Sequence, residues 1–453
     1  MTNYKEFFKN KKITVMGLGL LGRGLGDVKF LAECGADLVV TDLKSEKELE
    51  ASLIQLKEFK NIKHVLGEHR LEDFRDRDMI LKAAGVPLNS PFITEARKNN
   101  IPIEMDESLF MKLAPKVISI GITGTRGKTT TTTLIYEILK AASKKVFLAG
   151  NIKGVATLPL LAEVKEGDFV VMELSSWQLQ GFEESKISPN ISVFSNFLDD
   201  HLNYYRGSRE EYFKDKSYIY KNQKENDFLV ASKSVLKIIE SDINIDKILP
   251  KSKVIIPKNL PKSIKPRLIG EHNKENIKLA IEVAKILKIE DSVIKGAVED
   301  FGGVSGRLQL VKNIQGVEVY DDTTSVTPDS LIVALDSLGS LGAENKKSIV
   351  LIMGGADKNL DYEKALKKIK DHCKVVILIP GTGTERVKED IKKFSNLGMT
   401  IIECQTLESS VREAISHAKS PDKIVFSPGF ASFGMFVNEY DRGDKFNAIL
   451  AKI

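Results

Sequence analysis

Cysteine is scarce in this sequence, and its three copies, Cys34, Cys373 and Cys404, lie far apart without a Cys-x-x-Cys pair. This spacing indicates a reducing cytosol and excludes a cysteine metal site. Long apolar runs are also missing: none reaches the ~18 residues that a membrane-spanning helix needs. The first residues show no apolar signal core. We therefore expect a cytoplasmic protein that does not act at a membrane.

A concentrated charge of one sign is absent as well. The net charge of +5 is spread along the chain with no basic tail, so nucleic acid is not an expected partner. The composition, 42% hydrophobic and 28% charged, is typical of globular proteins. A chain of 453 residues has room for about three domains.

The segment from Lys116 to Thr133 has the pattern of a phosphate-binding loop. An apolar run predicts a buried strand, a glycine-rich turn follows it, and an amphipathic helix comes next. Glycines let backbone N–H groups approach phosphate oxygens, and a helix N-terminus adds partial positive charge there. A lysine can reach the outer phosphates, and a threonine can offer its hydroxyl to Mg²⁺. The candidate phosphate-contacting residues are Gly124, Thr125, Arg126, Gly127, Lys128, Thr129 and Thr130.

A second glycine loop lies near the start of the chain. A predicted strand, Ile13 to Met16, runs into Gly17-Leu-Gly-Leu-Leu-Gly22, and a second strand ends at Asp42 about 20 residues on. This pattern is typical of nucleotide-binding βαβ units, in which the acid receives a sugar or base hydroxyl. A tight turn that binds nothing is the alternative. The candidate residues for this nucleotide are Gly19, Leu20, Leu21 and Asp42.

Polar residues follow the strands predicted in the middle of the chain. Asp168 to Met172 reads as a strand, and Glu173 follows it at the edge where a nucleotide-bound Mg²⁺ is usually held. His201 lies in a polar cluster past the next strand, Ile191 to Phe194. On pattern alone Lys216 is a solvated lysine of a helix that ends at Lys221. The stretch from Ser232 to Lys265 reads as peripheral strands and loops.

In the last third, predicted strands again alternate with helical patterns, so we expect a parallel sheet. Ligands of such a sheet bind at the C-terminal ends of its strands. Further strands are predicted at Met79 to Lys82 and Ile101 to Glu104. The strands of the last third are predicted at Val317 to Tyr320, Ser348 to Met353, Val375 to Ile379, Thr400 to Glu403 and Ile424 to Ser427.

Taken together, these motifs resemble the Mur ligases. The resemblance rests on five segments in one order: Gly-Thr-Arg-Gly-Lys-Thr-Thr, Glu173-Leu-Ser-Ser-Trp-Gln178, Asn196 to His201, His272-Asn-x-x-Asn276 and Ser427-Pro-x-x-Ala-Ser-Phe. It implies three α/β domains. These are a Rossmann-like UDP-substrate domain over 1–114, a central P-loop ATPase-type domain over 115–308, and a C-terminal Rossmann-like amino-acid domain over 309–453.

The resemblance also implies a reaction. Such enzymes use ATP and Mg²⁺, with two metal sites expected, to form an amide bond through an acyl phosphate. The motif set points to the members that add D-glutamate to UDP-N-acetylmuramoyl-L-alanine in peptidoglycan synthesis, as monomers. A carboxylate is a poor electrophile, and phosphorylation turns its oxygen into a leaving group, so positioning and charge neutralisation dominate the catalysis.

Residue roles follow from the same resemblance. Lys128, Glu173, His201 and Lys216 are the implied catalytic residues, with Lys216 modified to a carbamate. Thr129, Glu173, His201 and that carbamate would hold the metals. Asn276, Arg307 and Asp322 would contact ATP with the phosphate loop. Asn151, Ser175 and Gln178 would contact the UDP-sugar substrate, and Lys358, Ser432 and Phe433 the glutamate.

The sequence departs from the family pattern at several positions. Thr324 stands where a lysine that pairs with a glutamate carboxylate is expected, and a hydroxyl cannot replace that charge. Gly306 stands where a histidine precedes Arg307. Leu21 and Leu43 replace hydroxyl residues around the first glycine loop. The identity of the amino acid therefore stays open.

Parts of the sequence are also consistent with other functions. A sibling Mur-type or a folylpolyglutamate-type ligase would use a different amino acid. A nucleotide-dependent oxidoreductase is suggested by the first glycine loop alone, and it leaves Lys128 and Glu173 without a role. A non-catalytic nucleotide-binding relative is suggested by Thr324.

Overall fold

The fold comes from a computed structural model that describes residues 3–341 and 347–453. Residues 1, 2 and 342–346, which fall in the predicted first and third domains, lie outside the described residues. The chain divides into two units. The first takes Met1–Leu260 with Asn276–Ala297, and the second takes Pro261–Glu275 with Val298–Ile453.

The first unit contains two parallel sheets, of which one is built from the N-terminal strands. Its strand order is β3-β2-β1-β4-β5, so the chain reverses direction across the sheet between β1 and β4. Ligands of such sheets bind at this reversal point, beyond the strand C-termini. The strands are β1 (Lys12–Met16), β2 (Asp37–Asp42), β3 (Ile62–Leu66), β4 (Met79–Lys82) and β5 (Ile103–Glu104), and the helices are α1 (Tyr4–Phe8), α2 (Arg23–Glu33), α3 (Glu46–Leu56), α4 (Pro91–Lys98) and α5 (Asp106–Leu113).

The second sheet of this unit has the order β11-β10-β9-β6-β8-β7 and is also fully parallel. Its reversal point lies between β6 and β9. The strands are β6 (Ile118–Thr123), β7 (Val146–Gly150), β8 (Phe169–Glu173), β9 (Ile191–Phe194), β10 (Phe228–Ala231) and β11 (Lys253–Ile255). The helices are α6 (Lys128–Ala141), α7 (Ser176–Glu184), α8 (Arg209–Lys221) and α9 (Lys233–Ile239). Two further helices, α10 (Glu271–Ile286) and α11 (Asp291–Asp300), each have most of their residues in this unit and the rest in the second unit.

The second unit is built on one mixed sheet of order β12-β13-β17-β14-β15-β16. All five residues of β14 are buried, as expected for a central strand covered by helices on both faces. The strands are β12 (Gln309–Ile314), β13 (Val317–Asp321), β14 (Ile349–Met353), β15 (Cys373–Leu378), β16 (Thr400–Glu403) and β17 (Lys423–Phe426), and the helices are α12 (Pro328–Gly339), α13 (Glu363–His372), α14 (Thr382–Lys392), α15 (Leu407–His417) and α16 (Glu439–Leu450).

Two sequence-based predictions need correction. The parallel sheet of the last third has an antiparallel edge strand, β12, because β12 and β13 are joined by only Gln315 and Gly316. Both residues have positive φ, 50° and 85°, which is the backbone of a tight hairpin turn. The stretch from Ser232 includes a helix, α9, whose first turn is capped by the Ser232 side chain. The other predicted strands are confirmed. Within the described residues, no helix has both the length and the apolarity needed to cross a bilayer.

Candidate nucleotide and metal site

The phosphate loop lies between β6 and α6, and its glycines have conformations that other residues avoid. Gly124 has φ 143° and Gly127 has φ 79°. A Cβ on Gly124 would collide with the hydroxyl of Ser195, and one on Gly127 would collide with the side-chain amide of Asn276. The structure therefore places the Asn276 side chain against the loop.

The segment after β9 holds this loop in shape. Thr125 N donates to the carbonyl of Asn196 at 3.0 Å, and Arg126 N donates to its Oδ1 at 2.9 Å. The Asn196 amide in turn donates to Arg126 O at 3.0 Å. The Arg126 guanidinium also pairs with Asp200 at 2.6 Å. The reversal point between β6 and β9 thus carries a preformed loop.

Two lysine amines converge on one carbonyl of the loop. Nζ of Lys128 donates to Gly124 O at 3.1 Å, and Nζ of Lys216 donates to the same oxygen at 2.8 Å. Lys216 is 1% exposed, so its interpretation as a solvated lysine is wrong. Burial, together with the charge of Lys128, lowers the pKa of Lys216 well below its ordinary value. Its amine is therefore neutral more readily than that of a solvated lysine.

Glu173 ends β8 directly beside the strand that leads into the phosphate loop, paired in register with Ile122. Its carboxylate is 2% exposed. Oε1 accepts a hydrogen bond from the Asn151 amide at 3.0 Å, whereas Oε2 is buried and has no hydrogen-bond partner within the described residues. A buried carboxylate oxygen without a partner is costly, and an oxygen-seeking cation such as Mg²⁺ would satisfy it. The residues present fit a metal at this point.

His201 lies close to the two lysines. Its backbone has φ 54°, an uncommon conformation for a residue with a side chain. Its ring centroid is 4.8 Å from that of Trp177, and its Nε2 is 3.7 Å from Asp200. Burial lowers the pKa of His201, and the charges of Lys216 and Lys128 lower it further against the opposing effect of Asp200. A neutral imidazole that can accept a proton or bind a metal is the result.

Ser175 and Gln178 hold the start of α7, just after Glu173. Ser175 N donates to the Gln178 Oε1 at 2.8 Å, and Gln178 N donates to the Ser175 hydroxyl at 3.3 Å, which forms a capping box. The Gln178 amide also donates to the Glu107 carboxylate of α5. Of the predicted UDP-sugar contacts, Asn151 therefore bonds to Glu173, Ser175 follows Glu173 by two residues, and Gln178, 1% exposed, bonds to Glu107.

The first glycine loop borders a cleft of about 180 Å³ at the β1–β4 reversal point. Asp42 is 5% exposed, and its carboxylate accepts hydrogen bonds from Gly19 N and Lys44 N, each at 2.9 Å. The Asp42 carboxylate therefore stabilises the conformation of the first glycine loop. Leu20, which is 48% exposed, and Leu21 line the cleft.

Sequence reasoning missed the charged residues of this cleft. Arg23, Asp27, Lys82 and Asp106 line it, and burial lowers the pKa of Lys82 to about 8. Lys82 ends an apolar strand, and Asp106 stands in the first turn of a helix, where acids are common. Neither position carries a local signal that separates it from an ordinary surface charge.

In the second unit, the predicted ATP contact Asp322 directly follows β13. Its carboxylate accepts hydrogen bonds from the Ser427 hydroxyl at 2.7 Å and from Leu308 N at 3.0 Å. Arg307, the neighbour of Leu308, is exposed. Thr324 lies two residues after Asp322, and its hydroxyl donates a hydrogen bond to Gly306 O at 2.7 Å.

The predicted glutamate contacts lie on two adjacent loops of this unit. Ala356 N donates to Ala431 O at 2.9 Å, and Ala431 N donates back to Ala356 O at 3.1 Å. This bridge joins the loop of Lys358 to the loop of Ser432 and Phe433. Lys358 is exposed, Phe433 is 66% exposed and Ser432 is buried. The three residues are thus brought to one edge of the sheet.

We expect the buried carboxyl group of Asp322 to make the stability of the fold depend on pH. Burial raises the pKa of its carboxyl to about 7, from 3.8 in a solvated chain. Between these values the folded state binds more protons than the unfolded state, so stability falls as pH rises towards 7. We expect Asp322→Asn to flatten the fall in Tm between pH 5 and pH 7, measured calorimetrically. Exposed Asp329→Asn should keep the wild-type slope, and an unchanged slope in Asp322→Asn would contradict this account.

We expect the replacement of Arg442 to have a large effect on the stability of the fold. The side chain is 0% exposed, and its guanidinium donates to Thr323 O at 2.6 and 3.0 Å and to Phe430 O at 3.1 Å. Arg442→Met would leave both buried carbonyls unsatisfied, which should lower the free energy of unfolding by about 2–4 kcal/mol. Urea denaturation measures this. Arg412→Met, at an exposed position, is the control and should stay within experimental error.

Models of three protein domains match the chain in order. They are described as the Mur ligase MurD-like N-terminal domain over residues 11–104, the Mur ligase middle domain over 122–248, and the Mur ligase glutamate ligase domain over 306–430.

Full-length relatives carry one name. The UDP-N-acetylmuramoylalanine–D-glutamate ligase of Borreliella afzelii (strain PKo) is 35% identical over 98% of each chain. The protein of the same name from Roseiflexus sp. (strain RS-1) is 33% identical over 97% of this chain and 98% of its own.

Solved structures show the same fold. UDP-N-acetylmuramate-alanine ligase MurC from Thermotoga maritima has a TM-score of 0.60 at 21% identity, over 98% of this chain and 99% of its own. MurF ligase from the same organism, in complex with ADP, has a TM-score of 0.57 at 16% identity, over 100% of this chain and 97% of its own. From its three domain matches and its full-length relatives, the chain belongs to the Mur ligase family.

Proposed function

We propose that this protein is an ATP-dependent ligase that joins D-glutamate to UDP-N-acetylmuramoyl-L-alanine in peptidoglycan precursor synthesis. The observation that carries the proposal is the match, over nearly the whole chain, to relatives with this name. The phosphate loop, Glu173 and Lys216, which lie together in the first unit, give the chemistry a site. We also propose the three-domain division into residues 1–114, 115–308 and 309–453.

The phosphate loop would bind ATP. Its turned backbone and Lys128 would receive the phosphates, and Asn276, Arg307 and Asp322 would contact the same nucleotide. Thr129 and Glu173 would hold a first Mg²⁺, since Glu173 offers a buried oxygen that lacks a partner. Bound Mg²⁺ supplies charge neutralisation for the transferred phosphoryl group.

Lys216 would serve a second metal. Its buried amine, with a lowered pKa, is available as a free base that can add to the carbon of CO₂ and release a proton. The resulting carbamate is an anion and a metal ligand. His201 would be its neighbour in the site. Two Mg²⁺ positions are therefore part of the proposal.

The reaction would proceed in two steps. The carboxylate of the UDP-linked substrate takes the γ-phosphoryl group of ATP, and the glutamate amine then displaces phosphate to form the amide. Gly19, Leu20, Leu21, Asp42, Asn151, Ser175 and Gln178 would bind the UDP substrate, and Lys358, Ser432 and Phe433 would bind glutamate. A monomeric state and a cytoplasmic location stay predictions from the sequence.

Phosphate release by the purified protein tests the proposal. Release should require ATP, Mg²⁺, UDP-N-acetylmuramoyl-L-alanine and D-glutamate together, and mass spectrometry should find the amide product. Since Thr324 carries no charge for a glutamate carboxylate, the assay should include a panel of amino acids in both stereochemical forms. Phosphate release that ignores the UDP substrate and every amino acid would reject the proposal. Family membership accounts for both glycine loops, and no observation favours the oxidoreductase alternative.

A further inference from the structure

Helix α2 of the first sheet contacts the loop of residues 150–158, which follows β7 in the second sheet and is called the bridging loop below. Gly154 N donates to Leu21 O at 3.0 Å. A Cβ on Gly26 would lie 2.5 Å from the Cβ of Ala156, so this approach requires a glycine on the helix. The first glycine loop and the bridging loop are thus in direct backbone contact.

Asp27 makes a buried polar contact in this interface. Its carboxylate accepts a hydrogen bond from Leu158 N at 3.0 Å, although Asp27 itself is only 3% exposed. Leu158 begins a short 3-10 helix, and the preceding Thr157 provides no side-chain cap for it. The Thr157 hydroxyl instead accepts a hydrogen bond from Gly150 N at 3.3 Å, which closes the bridging loop. Asp27, from helix α2, therefore supplies the missing cap.

The other end of the bridging loop reaches the candidate metal carboxylate. Asn151 N donates to Glu173 O at 2.8 Å, and its side-chain amide donates to Glu173 Oε1 at 3.0 Å. These two bonds set the direction of the Glu173 carboxylate and leave Oε2 for a metal. Partners of metal ligands commonly decide how well the ligands are oriented.

We propose that Asp27 is a positioning residue for Glu173, acting through the bridging loop. By capping Leu158 it holds the loop closed, and the closed loop holds Asn151 against the Glu173 carboxylate. The inference rests on the proposed role of Glu173 in metal binding. It assigns a catalytic consequence to a residue of the UDP-substrate domain that contacts neither the metal nor the phosphate loop within the described residues.

Two variants separate the hydrogen bond from the charge. Asp27→Asn keeps an acceptor oxygen for Leu158 N and should behave like the wild type. Asp27→Ala removes the acceptor and should raise hydrogen exchange of the amides at residues 150–158 in the ligand-free protein. It should also weaken the binding of Mg²⁺ in the presence of ADP by about tenfold. Trp177, the only tryptophan, lies 4.8 Å from the His201 ring and provides the fluorescence signal for that titration.

Matched controls keep the test specific. Asp73 lies in the short 3-10 helix Leu71–Phe74 of the same unit and is also 3% exposed, but its carboxylate pairs with Arg70 at 2.8 Å. Asp73→Ala should therefore leave Mg²⁺ binding at the wild-type value. If Asp27→Ala does not fold, Gly26→Ala pushes on Ala156 without removing a polar group and should weaken Mg²⁺ binding in the same direction.

The outcomes distinguish the inference from the proposed function. A wild-type protein that forms no amide product refutes the function. A wild-type protein that forms product, with Mg²⁺ binding equal in the wild type, Asp27→Ala and Gly26→Ala, overturns the inference. Faster exchange in the bridging loop without weaker Mg²⁺ binding overturns it too, because the loop would then not position Glu173.

Discussion

Lys128→Met should reduce phosphate release by at least about a thousandfold, because phosphoryl transfer depends almost entirely on positioning and charge neutralisation. The ammonium group lies at the mouth of the phosphate loop, 3.1 Å from Gly124 O and 3.1 Å from Thr125 O. Methionine fills similar volume without a donor or a charge. The amide-forming assay with saturating ATP measures the effect.

The control for this variant lies on the same helix. Lys140→Met alters an exposed lysine in the last turn of α6, with 63% of its side chain accessible, and should leave the rate unchanged. Circular dichroism should confirm that both variants keep the wild-type fold. A Lys128→Met protein that works within tenfold of the wild type would show that this loop does not carry the reacting phosphates.

Glu173→Gln should cost about a hundredfold to a thousandfold in rate, the range for losing one preorganised group at a reacting centre. The amide oxygen can still accept the hydrogen bond from Asn151, so local structure should survive. What disappears is the negative charge at the buried Oε2, and with it the attraction for Mg²⁺. The Mg²⁺ concentration at half-maximal rate should rise, and excess Mg²⁺ should restore part of the activity.

Glu166→Gln is the matched control for Glu173→Gln. Glu166 lies in the exposed turn before β8, and its replacement removes the same charge a few residues away. The Mg²⁺ dependence of this variant should match that of the wild type. An unchanged Mg²⁺ dependence in Glu173→Gln would mean that this carboxylate does not hold the metal.

The backbone of the site was predictable because its signals are local. An apolar strand, a glycine turn and Lys-Thr at a helix start locate the phosphate loop within about 15 consecutive residues. The hydrophobic pattern of these residues alone is enough to predict the strand and the helix. The same holds for Glu173 at the end of its strand. Lys216 is different: its burial depends on Gly124, 92 residues earlier in the chain, so no pattern within its own helix reveals it.

The contacts that join the two sheets of the first unit could not be predicted for the same reason. Asp27 is an unremarkable acid in a helix, and its partner Leu158 follows 131 residues later. The antiparallel edge strand β12, which pairs with β13 through a two-residue hairpin, was not among the predicted strands. Long-range packing is what the sequence pattern leaves out.

The contact between Gly306 and Thr324 links two departures from the family pattern. A Cβ at position 306 would lie 2.7 Å from the Thr324 methyl group, and Gly306 has φ 74°. A side chain at position 306 would therefore press on the Thr324 methyl group and would also need a left-handed backbone conformation. The two positions are therefore coupled, and the effect of Gly306→His on the free energy of unfolding should depend on whether position 324 holds threonine or lysine.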